Sequence, residues 1–317
     1  MKKALVTGIA GFAGSHLTEL LLKEKLQVFG FYHPDHATGN IDHIKSKINL
    51  IPADLSQSEQ IFKEVKKINP DFVFHLAAFS SPSISFQDPK TTFENNVFGQ
   101  LNLLESLSKI SSNARILIVG SAEEYGNVDP KYLPAGEQTP LAPQSPYAVS
   151  KVAQDMLGYQ FFLHEKLKCV RVRPFNHIGP RQSKDFVVSA FASQIAELEK
   201  RGGGQIKVGN LESDRDFTDV RDMVKAYYLA LTKGEPGEVY NIGSGTAVKI
   251  AKILDDLLSF SKFKIKVAVD KSRYHPVDLK ILLADPSKFK KQTGWKPTIP
   301  LNQTLFDTME YERQKLK

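Results

Sequence analysis

The sequence predicts an α/β protein with a doubly wound parallel sheet and a smaller, partly discontinuous α/β domain. Short apolar, β-branched runs alternate with longer segments of helical period over the first 175 residues, as expected for βαβ units on a parallel sheet. A glycine-rich turn follows the first of these runs. With 317 residues, of which 41% are hydrophobic and 24% charged, the chain is long enough for one large unit and a smaller one.

Six strands are predicted in the first part of the chain. They are "KALVTG", "QVFGFY", "INLIPA", "DFVFHLA", "RILIVGS" and "CVRVRPF". The connecting helices include "FAGSHLTELLLKEK", "SEQIFKEVKKI", "PKTTFENNVFGQLNLLESLSKI" and "SPYAVSKVAQDMLGYQFFLHEK". Because helices join strands of one direction, the carboxyl ends of the strands meet at one edge, where open α/β sheets bind ligands.

The segments after Pro174 are less regular and predict the second domain. "FNHIGPRQSKDFVVSAFASQIAELEKRGGG" indicates a loop, a helix and a glycine stop. "DVRDMVKAYYLALTKG" and "EVYNIGS" predict a helix and a strand that could return to the main sheet. We therefore expect the first domain at residues 1–174 plus about 213–243, and the second at residues 175–212 plus 244–317.

The net charge of +7 and the isoelectric point near 9.2 do not come from one basic tract. The lysines are scattered through "KEKL", "KEVKKINP" and "PSKFKKQTGW", without the basic stripe and interleaved aromatic residues that nucleic-acid binding uses. We expect a small polyanionic ligand and no nucleic-acid partner.

Cys169 is the only cysteine and lies in the apolar run "KCVRVRPF", which indicates a buried thiol in a reducing, cytoplasmic setting. The sequence has no run of 18 apolar residues, and its charged start turns glycine-rich within a few positions. We therefore expect neither a membrane span nor a signal peptide. No metal site is predicted.

The turn "ALVTGIAGFAGSHL" runs from a strand through Gly8, Gly11 and Gly14 into a helix that opens with Phe12 and Ala13. Glycines allow a tight bend and close approach of the backbone, and the helix N-terminus offers free N–H groups to a pyrophosphate. This context predicts that the first domain binds a dinucleotide.

The end of the second strand, "VFGFYHPD", indicates which dinucleotide is bound. A carboxylate there would accept a hydrogen bond from a ribose 2′-hydroxyl and repel a 2′-phosphate. Tyr32 occupies that position, His33 follows, and Asp35 comes after a proline. The missing acid favours NADP; NAD stays open because histidine is a weaker phosphate partner than arginine, and both His33 and Asp35 suit an exposed loop.

The stretch "SPYAVSK" places Tyr147 and Lys151 four residues apart, on one face of a helix. An ammonium there is expected to stabilise a tyrosinate and lower the pKa of the phenol from about 10. Tyr147 could then exchange a proton with a substrate oxygen while hydride moves at the carbon. The strand "RILIVG" ends in "SAEEYG", which brings Ser121 and Glu123 to the same sheet edge. Ser121 is expected to hydrogen-bond the same oxygen.

Six motifs follow one another over nearly 180 residues: "TGIAGFAG", "HLAA", "NNVFG", "GSAEEYG", "SPYAVSK" and "RPFNHIGP". Together they resemble the extended short-chain dehydrogenase/reductase family that acts on nucleotide sugars. The likeness continues through "VGNLESDRDFTDVRD", "EVYNIGSG" and "TGWKPTIPL". Within the family, "FNHIGPRQ" and "DFVVSAFASQIAELE" resemble GDP-4-keto-6-deoxy-mannose reductases and GDP-mannose 4,6-dehydratases. This resemblance implies a Rossmann fold, a GDP-linked sugar as substrate and a homodimer.

The resemblance also implies roles by position. Tyr147 would be the acid/base, Lys151 would tune it and hold the nicotinamide ribose, and Ser121 would supply the partner hydroxyl. Cofactor contacts are implied for Gly8, Gly11, Phe12, Ala13, Gly14, His33, Asp54, Leu55, Leu76, Ala77, Ala78, Tyr147 and Lys151. Substrate contacts are implied for Asn176, Val187, Asn210, Arg215 and Arg273.

One position departs from the family. "RYHPVD" has His275 where arginine usually stands directly before the proline. Arg273 is expected to substitute for it as a phosphate clamp, and a solvated loop is the alternative.

The family contains both reductases and dehydratases. A dehydratase needs an acid/base beside the tyrosine, because it removes the C5 proton and expels the C6 hydroxyl after oxidising C4. Glu123 occupies the position of the dehydratase glutamate, but Ser121 and Ala122 replace the threonine and the polar residue usual there. We therefore expect reduction of a GDP-4-keto-6-deoxy-hexose to a GDP-6-deoxy sugar of the GDP-rhamnose type, with hydride from NADPH and a proton from Tyr147. GDP-mannose 4,6-dehydratase and nucleotide-sugar 4-epimerase activities stay open as alternatives.

Overall fold

A computed structural model describes residues 1–274 and 279–316 of the chain. Its strands are β1 (Lys3–Thr7), β2 (Gln27–Tyr32), β3 (Asn49–Pro52), β4 (Phe72–His75), β5 (Arg115–Val119), β6 (Lys168–Pro174), β7 (Asn176–Ile178), β8 (Gly204–Val208), β9 (Asp214–Asp219), β10 (Val239–Ile242), β11 (Ala247–Lys249), β12 (Ile265–Val269) and β13 (Ile281–Leu282). Its α-helices are α1 (Phe12–Lys23), α2 (Ser58–Ile68), α3 (Pro82–Gln87), α4 (Pro89–Phe93), α5 (Gly99–Lys109), α6 (Pro146–Glu165), α7 (Val187–Lys200), α8 (Val220–Lys233), α9 (Ile250–Ser259), α10 (Ser287–Thr293) and α11 (Leu301–Gln314).

The large sheet has the strand order β10-β6-β5-β4-β1-β2-β3, and every neighbouring pair is parallel. All six strands predicted for the first part of the chain lie in it. From β1, the chain continues to one side through β2 and β3, and β4 then starts the other side. This reversal creates a switch point at the carboxyl ends of β1 and β4. The predicted doubly wound fold is confirmed.

Both faces of the large sheet are covered, which explains why its strands are almost entirely apolar. Val6 and Phe74 pack into one hydrophobic cluster, whereas Leu5 and Val73 pack into the other. All four side chains are fully buried. Burial of one such side chain stabilises the fold by about 1.5–3 kcal/mol, so the sheet is a rigid base for residues at its carboxyl edge.

The remaining strands build a smaller unit over that edge. In it, β9 pairs with β7, β11 and β13, and β8 pairs with β12. Helices α7, α9 and α11 pack together through Ile195, Leu254 and Met309. The segment from about 213 to 243 is shared, because β9 lies in the small sheet and β10 in the large one. The predicted domain bounds stay a prediction.

One predicted helix is interrupted. The stretch 89–110 forms α4, a single π-helical turn at Glu94–Phe98, and α5. Asn96, fully buried in that turn, accepts a hydrogen bond from the Phe79 N–H (2.8 Å) and donates to the Ser150 hydroxyl (2.9 Å). These partners lie on other elements of the fold, so apolar periodicity along the helix could not reveal the interruption.

Candidate active site

A cavity of about 1130 Å³ lies over the carboxyl edge of the large sheet, between the sheet and the smaller unit. The glycine-rich turn and the residues that follow β5 line one wall. The other wall comes from β7, the start of α7 and the segments around β8 and β9. The cavity therefore unites residues as distant in sequence as Gly8 and Arg273.

The glycine-rich turn meets the geometric requirements of a phosphate site. Gly8 has a φ of 68°, and a Cβ atom there would lie 2.8 Å from the Ala77 backbone nitrogen. A Cβ atom on Gly14 would overlap the Gly8 carbonyl oxygen. Helix α1 starts directly after Gly11, and no side chain among the described residues caps its N-terminus. Its first N–H groups are therefore available to a pyrophosphate.

Most of the predicted cofactor residues lie at this cavity. It is lined by Gly8, Gly11, Phe12, Ala13, Gly14, Leu76, Ala78, Tyr147 and Lys151. Ala77 lies directly behind the turn, where its N–H donates to the Thr7 hydroxyl (3.1 Å). Leu55 instead packs beside Gly99 at the start of α5. The structure thus gathers the pyrophosphate side of the predicted site and places Leu55 behind it.

His33 and Asp54 follow β2 and β3, which are neighbours in the sheet. The His33 Nδ1 atom accepts a hydrogen bond from the Asp35 N–H (3.3 Å), and both His33 and Asp54 are half-buried. Burial acts to raise the pKa of Asp54, but hydrogen bonds from Ser56 and the charge of His33 hold it below its ordinary value. The roles of both residues toward a cofactor stay a prediction.

Helix α6 brings Tyr147 and Lys151 to the cavity. Its N-cap is Ser145, whose hydroxyl accepts a hydrogen bond from a backbone N–H of the first turn (3.0 Å), and Pro146 follows as the first helical residue. Both are strong helix-start signals. Tyr147 therefore sits in the first turn, 8% exposed, and its side chain is hydrogen-bonded to Ser121.

Lys151 lies one turn later, with its Nζ atom 5.9 Å from the centre of the Tyr147 ring. The ammonium donates to the Val119 carbonyl oxygen (2.8 Å) and to the side-chain oxygen of Gln154 (2.9 Å). Burial lowers the pKa of Lys151 to about 8, against the opposing charge of Glu124. The ammonium is thus fixed both to the end of β5 and to its own helix.

The expected direction of the Tyr147 pKa is wrong. Burial raises this pKa above its ordinary value of about 10, and although the hydrogen bond with Ser121 lowers it, the charges of Glu123 and Glu124 raise it again. Desolvation of the phenolate outweighs the benefit expected from Lys151. Tyr147 is consequently protonated at neutral pH, as a proton donor must be.

The residues after β5 form a tight turn that separates two glutamates. The Ser121 N–H donates to the Glu124 carboxylate (2.7 Å), and the Ser121 hydroxyl accepts from the Glu123 N–H (3.2 Å). Glu124 is fully buried, 3.0 Å from the Arg173 guanidinium, so it belongs to the core. Glu123 lines the cavity; burial raises its pKa, and the charge of Arg215 across the cavity opposes that rise.

All the predicted substrate residues line the cavity, namely Asn176, Val187, Asn210, Arg215 and Arg273. Asn176, on β7, has a buried side-chain oxygen without a hydrogen-bond partner among the described residues, so its amide is able to meet a ligand. Arg215 lies on β9 and donates to the Asp214 carbonyl oxygen (2.9 Å). The Arg273 side chain is 46% exposed. His275, the departure from the family pattern, lies outside the described residues.

Some polar residues at or behind the cavity were not assigned a role from the sequence: His75, Gln154, His177 and Arg181. The His177 ring stacks on Phe12, 5.8 Å between centres, and Arg181 reaches the first two turns of α1. Gln154 lies three residues after Lys151, so helical spacing would have found it. The contacts of Arg181 span more than 160 positions, and no local pattern marks them.

The sequence model described as GDP-mannose 4,6 dehydratase matches residues 5–308. The chain belongs to this family. It is 33% identical over 306 residues to the GDP-6-deoxy-D-mannose reductase of Pseudomonas aeruginosa, covering 96% of this chain and 95% of the relative. It is 29% identical over 357 residues to the GDP-mannose 4,6-dehydratase of Yersinia enterocolitica, covering 100% and 95%. The structure of RMD from Pseudomonas aeruginosa complexed with NADPH matches it with a TM-score of 0.85 at 30% identity, covering 99% of this chain and 100% of that one.

Membership in the family confirms the resemblance drawn from the sequence motifs. The chain is an NAD(P)-dependent enzyme of the extended short-chain dehydrogenase/reductase type, and it acts on nucleotide sugars within the GDP-sugar dehydratase and reductase family. No helix in residues 1–274 and 279–316 is long and apolar enough to cross a membrane. Over the same ranges, no group of three or more His, Cys, Asp or Glu side chains could hold a metal ion.

The residues present fit a nicotinamide dinucleotide. The turn through Gly8, Gly11 and Gly14 excludes side chains where the backbone must approach a pyrophosphate, and α1 begins without a side-chain cap. When bound, the reduced cofactor supplies hydride to a sugar carbonyl. The Tyr147 hydroxyl, hydrogen-bonded to Ser121, lies at the same cavity.

Proposed function

We propose that the chain reduces the C4 carbonyl of a GDP-4-keto-6-deoxy-hexose, giving a GDP-6-deoxy sugar of the GDP-rhamnose type. NADPH is the preferred hydride donor, and Tyr147 donates the proton to the C4 oxygen. The observation that carries the proposal is the state of Tyr147, a buried phenol that is hydrogen-bonded to Ser121 and has a raised pKa.

The raised pKa favours the reductive direction. Reduction of a ketone needs a donor that is protonated before the reaction, whereas a dehydratase must first remove the proton of the C4 hydroxyl. Burial raises the pKa, so the resting phenol carries the proton that reduction consumes, and the phenolate that dehydration needs at its first step is disfavoured. This argument supports reduction over dehydration.

The neighbours of Tyr147 support the same choice. Dehydration requires one group to remove the C5 proton and another to protonate the departing C6 hydroxyl. Ala122, between Ser121 and Glu123 in the sequence, is buried, and its methyl side chain can neither donate nor accept a proton. Glu123 faces the charge of Arg215 across the cavity, so we assign it to positioning Arg215 on the opposite wall rather than to proton abstraction.

The polar groups of the opposite wall suit a nucleoside diphosphate. Arg215 and Arg273 supply guanidinium groups that can each bind phosphate oxygens in pairs. Asn176 offers an amide whose buried oxygen lacks a partner among the described residues. The guanine base is proposed from the names of the family and its relatives.

The test is to incubate the purified protein with GDP-mannose, and separately with the GDP-4-keto-6-deoxy derivative plus NADPH. We expect NADPH oxidation and a GDP-6-deoxy-hexose only in the second reaction. Conversion of GDP-mannose without added NADPH would assign the chain to dehydration. Interconversion of C4 epimers with no net NADPH consumption would assign it to epimerisation. NADH in place of NADPH tests the cofactor preference.

We also propose that the chain forms a homodimer through α6. Val149, Met156 and Leu163 recur at seven-residue intervals on this helix, and their exposed fractions are 41%, 41% and 43%. Phe98, at the end of the π-helical turn, is 56% exposed. Exposed apolar residues in one row favour a protein partner. Sedimentation should give twice the 35.4 kDa chain mass, and Met156→Glu with Leu163→Glu should give a monomer.

We propose a cytoplasmic location because the cysteine is a buried free thiol. Cys169 is fully buried, and burial raises the pKa of its thiol to about 12. Such a thiol is unreactive and suits a reducing compartment. Fractionation of the source cells tests this location.

A further inference from the structure

A chain of buried polar side chains links Lys151 to the end of β1. Gln154 and Gln100 are both fully buried, which is uncommon for glutamine. The Gln154 oxygen accepts from the Lys151 ammonium (2.9 Å), and its Nε2 atom donates to the Gln100 oxygen (2.9 Å). The same Nε2 atom lies 3.4 Å from the His75 Nε2 atom, and the His75 Nδ1 atom lies 2.8 Å from the Thr7 hydroxyl.

Lys151 fixes the direction of the bonds in this chain. An ammonium has donors only, so the part of the Gln154 amide that faces it is the oxygen. The amide nitrogen then faces His75, whose Nε2 atom must accept and therefore carries no proton. The remaining proton lies on Nδ1 and is donated to the Thr7 oxygen. Burial and the Lys151 charge lower the pKa of His75 to about 3, so the ring is neutral at physiological pH.

The arrangement also defines which part of Lys151 is left for the cavity. An ammonium has three N–H groups, and the Val119 carbonyl and the Gln154 oxygen accept two of them. The third is left for the cavity that Lys151 lines. A leucine in place of Gln154 would fill a similar volume but leave the buried charge with one fewer acceptor, which is costly in a low-dielectric site.

We propose that Gln154 is the positioning residue of Lys151, holding the ammonium so that its third N–H group is presented to the bound cofactor. The amide acts through Lys151 and does not touch the substrate. This inference rests on the proposed role of Lys151 as the partner of the nicotinamide ribose. It adds to that role a reason why a fully buried amide lies on the same helix, one turn after Lys151.

The pH dependence of turnover tests the proposal. The activity needs the protonated form of Lys151, so turnover of the wild-type enzyme should fall as the pH rises above about 8. In Gln154→Leu, the lost acceptor should move this alkaline limb down by about one pH unit, the shift that a charge-assisted hydrogen bond represents. We expect kcat at pH 7.5 to fall about threefold, because the protonated fraction of Lys151 falls by that factor when its pKa moves down by about one unit, with the KM for the sugar within twofold.

Two further variants separate positioning from packing. Gln154→Glu keeps an acceptor for Lys151 and adds a negative charge. In this variant, turnover should therefore begin to fall at the same pH as in the wild type or at a higher one. Asn96→Leu removes another buried amide that contacts α6, at Ser150, without touching Lys151. It should lower the melting temperature and leave the limb in place. The proposal would be overturned if the alkaline fall in turnover stayed at the wild-type pH in Gln154→Leu, or if it shifted equally in Asn96→Leu.

A measurement that needs no substrate distinguishes this inference from the proposed function. ¹⁵N NMR of histidine-labelled protein, with His75 assigned from a His75→Gln variant, should show the Nδ1–H tautomer in the wild type. Gln154→Glu should convert it to the Nε2–H tautomer, because the carboxylate only accepts. If the wild type were inert toward the keto sugar, the proposed function would fail. The pH dependence of NADPH affinity would then be measured in place of the pH dependence of turnover. A His75 ring with its proton on Nε2 in the wild type would still contradict the inference.

Discussion

The two walls of the cavity hold their polar side chains differently. On the wall of the large sheet, Ser121, Tyr147 and Lys151 are 9%, 8% and 5% exposed. The Ser121 hydroxyl accepts from the Glu123 N–H, the Tyr147 side chain is hydrogen-bonded to Ser121, and the Lys151 ammonium donates to the Val119 carbonyl oxygen. On the wall of the smaller unit, Arg215 lies on a strand of a small sheet, and Arg273 is the last residue of a short 3-10 helix, with its side chain 46% exposed. The polar side chains that follow β5 and start α6 are therefore buried, whereas the Arg273 side chain on the opposite wall is partly exposed.

This difference agrees with the roles proposed for the two walls, namely proton transfer at the large sheet and phosphate binding at the smaller unit. Proton transfer depends on distances that a buried, hydrogen-bonded frame keeps fixed. Phosphate recognition depends mainly on charge and tolerates side chains that adjust to the ligand. Substitutions on the first wall should therefore act mainly on kcat, and substitutions on the second mainly on KM.

The largest effect is expected for Tyr147→Phe, which removes the proton donor and keeps the ring. Turnover should fall about 10³-fold, within the usual range for a general acid, while NADPH affinity, measured by fluorescence titration, stays within twofold. Tyr159→Phe on the same helix is the control and should have wild-type turnover. A Tyr147→Phe enzyme within fivefold of wild type would refute the assignment of the large-sheet wall to chemistry.

Arg215→Ala should have the next largest effect. Loss of charge-assisted hydrogen bonds to phosphate should raise the KM of the GDP-sugar by about 10–100-fold, with kcat reduced less than threefold. Arg215→Lys keeps the charge but cannot form paired hydrogen bonds, so its KM should lie between those of the wild type and Arg215→Ala. Steady-state kinetics against sugar concentration measures both constants. A loss confined to kcat would contradict the proposed division between the walls.

Glu123→Gln distinguishes the two reaction classes at the boundary of the walls. If the enzyme is a reductase, removing this carboxylate should lower kcat less than tenfold, because no step needs it as a base. Dehydration would instead lose 10²-fold or more. The rates of keto-sugar reduction and of GDP-mannose conversion, measured side by side, decide between these outcomes, with Glu123→Asp as the charge-preserving control.

The smallest effect is expected for His33→Ala, at the rim of the large-sheet wall. If the imidazole contacts a 2′-phosphate, the affinity for NADPH should fall about two- to fivefold and that for NADH should not change. His36→Ala, whose ring lies 5.0 Å from that of His33, is the matched control. Equal losses for both cofactors would remove His33 from the choice between them.

Much of the fold followed from local pattern. All six strands of the first part of the chain and the helix that carries Tyr147 were predicted, because apolar runs, a Ser-Pro helix start and glycine turns act over a few residues. The π-helical turn at Glu94–Phe98 was not predicted. Its Asn96 amide bonds to Phe79 and Ser150, which lie 17 and 54 positions away.

The candidate site was predicted in its members but less well in its electrostatics. The sequence placed Tyr147 and Lys151 on one helical face, and the structure places both at the cavity. The pKa of Tyr147 is raised, whereas the sequence predicted a lowered one, because the burial that raises it cannot be deduced from residue spacing. The role of Gln154 was missed, although its spacing from Lys151 predicts their contact; its further contact with His75 joins positions 79 apart and has no local signal.

The sequence by itself determined the glycine turn, the Tyr147–Lys151 spacing and the order of strands and helices, because each depends on residues within one or two turns of one another. The tertiary structure decided how these parts behave. It placed Arg215 close enough to oppose the pKa rise of Glu123, buried Tyr147 so that it stays protonated, and linked Lys151 to β1 through Gln154. Desolvation and charge act through space, so distances between remote positions set them.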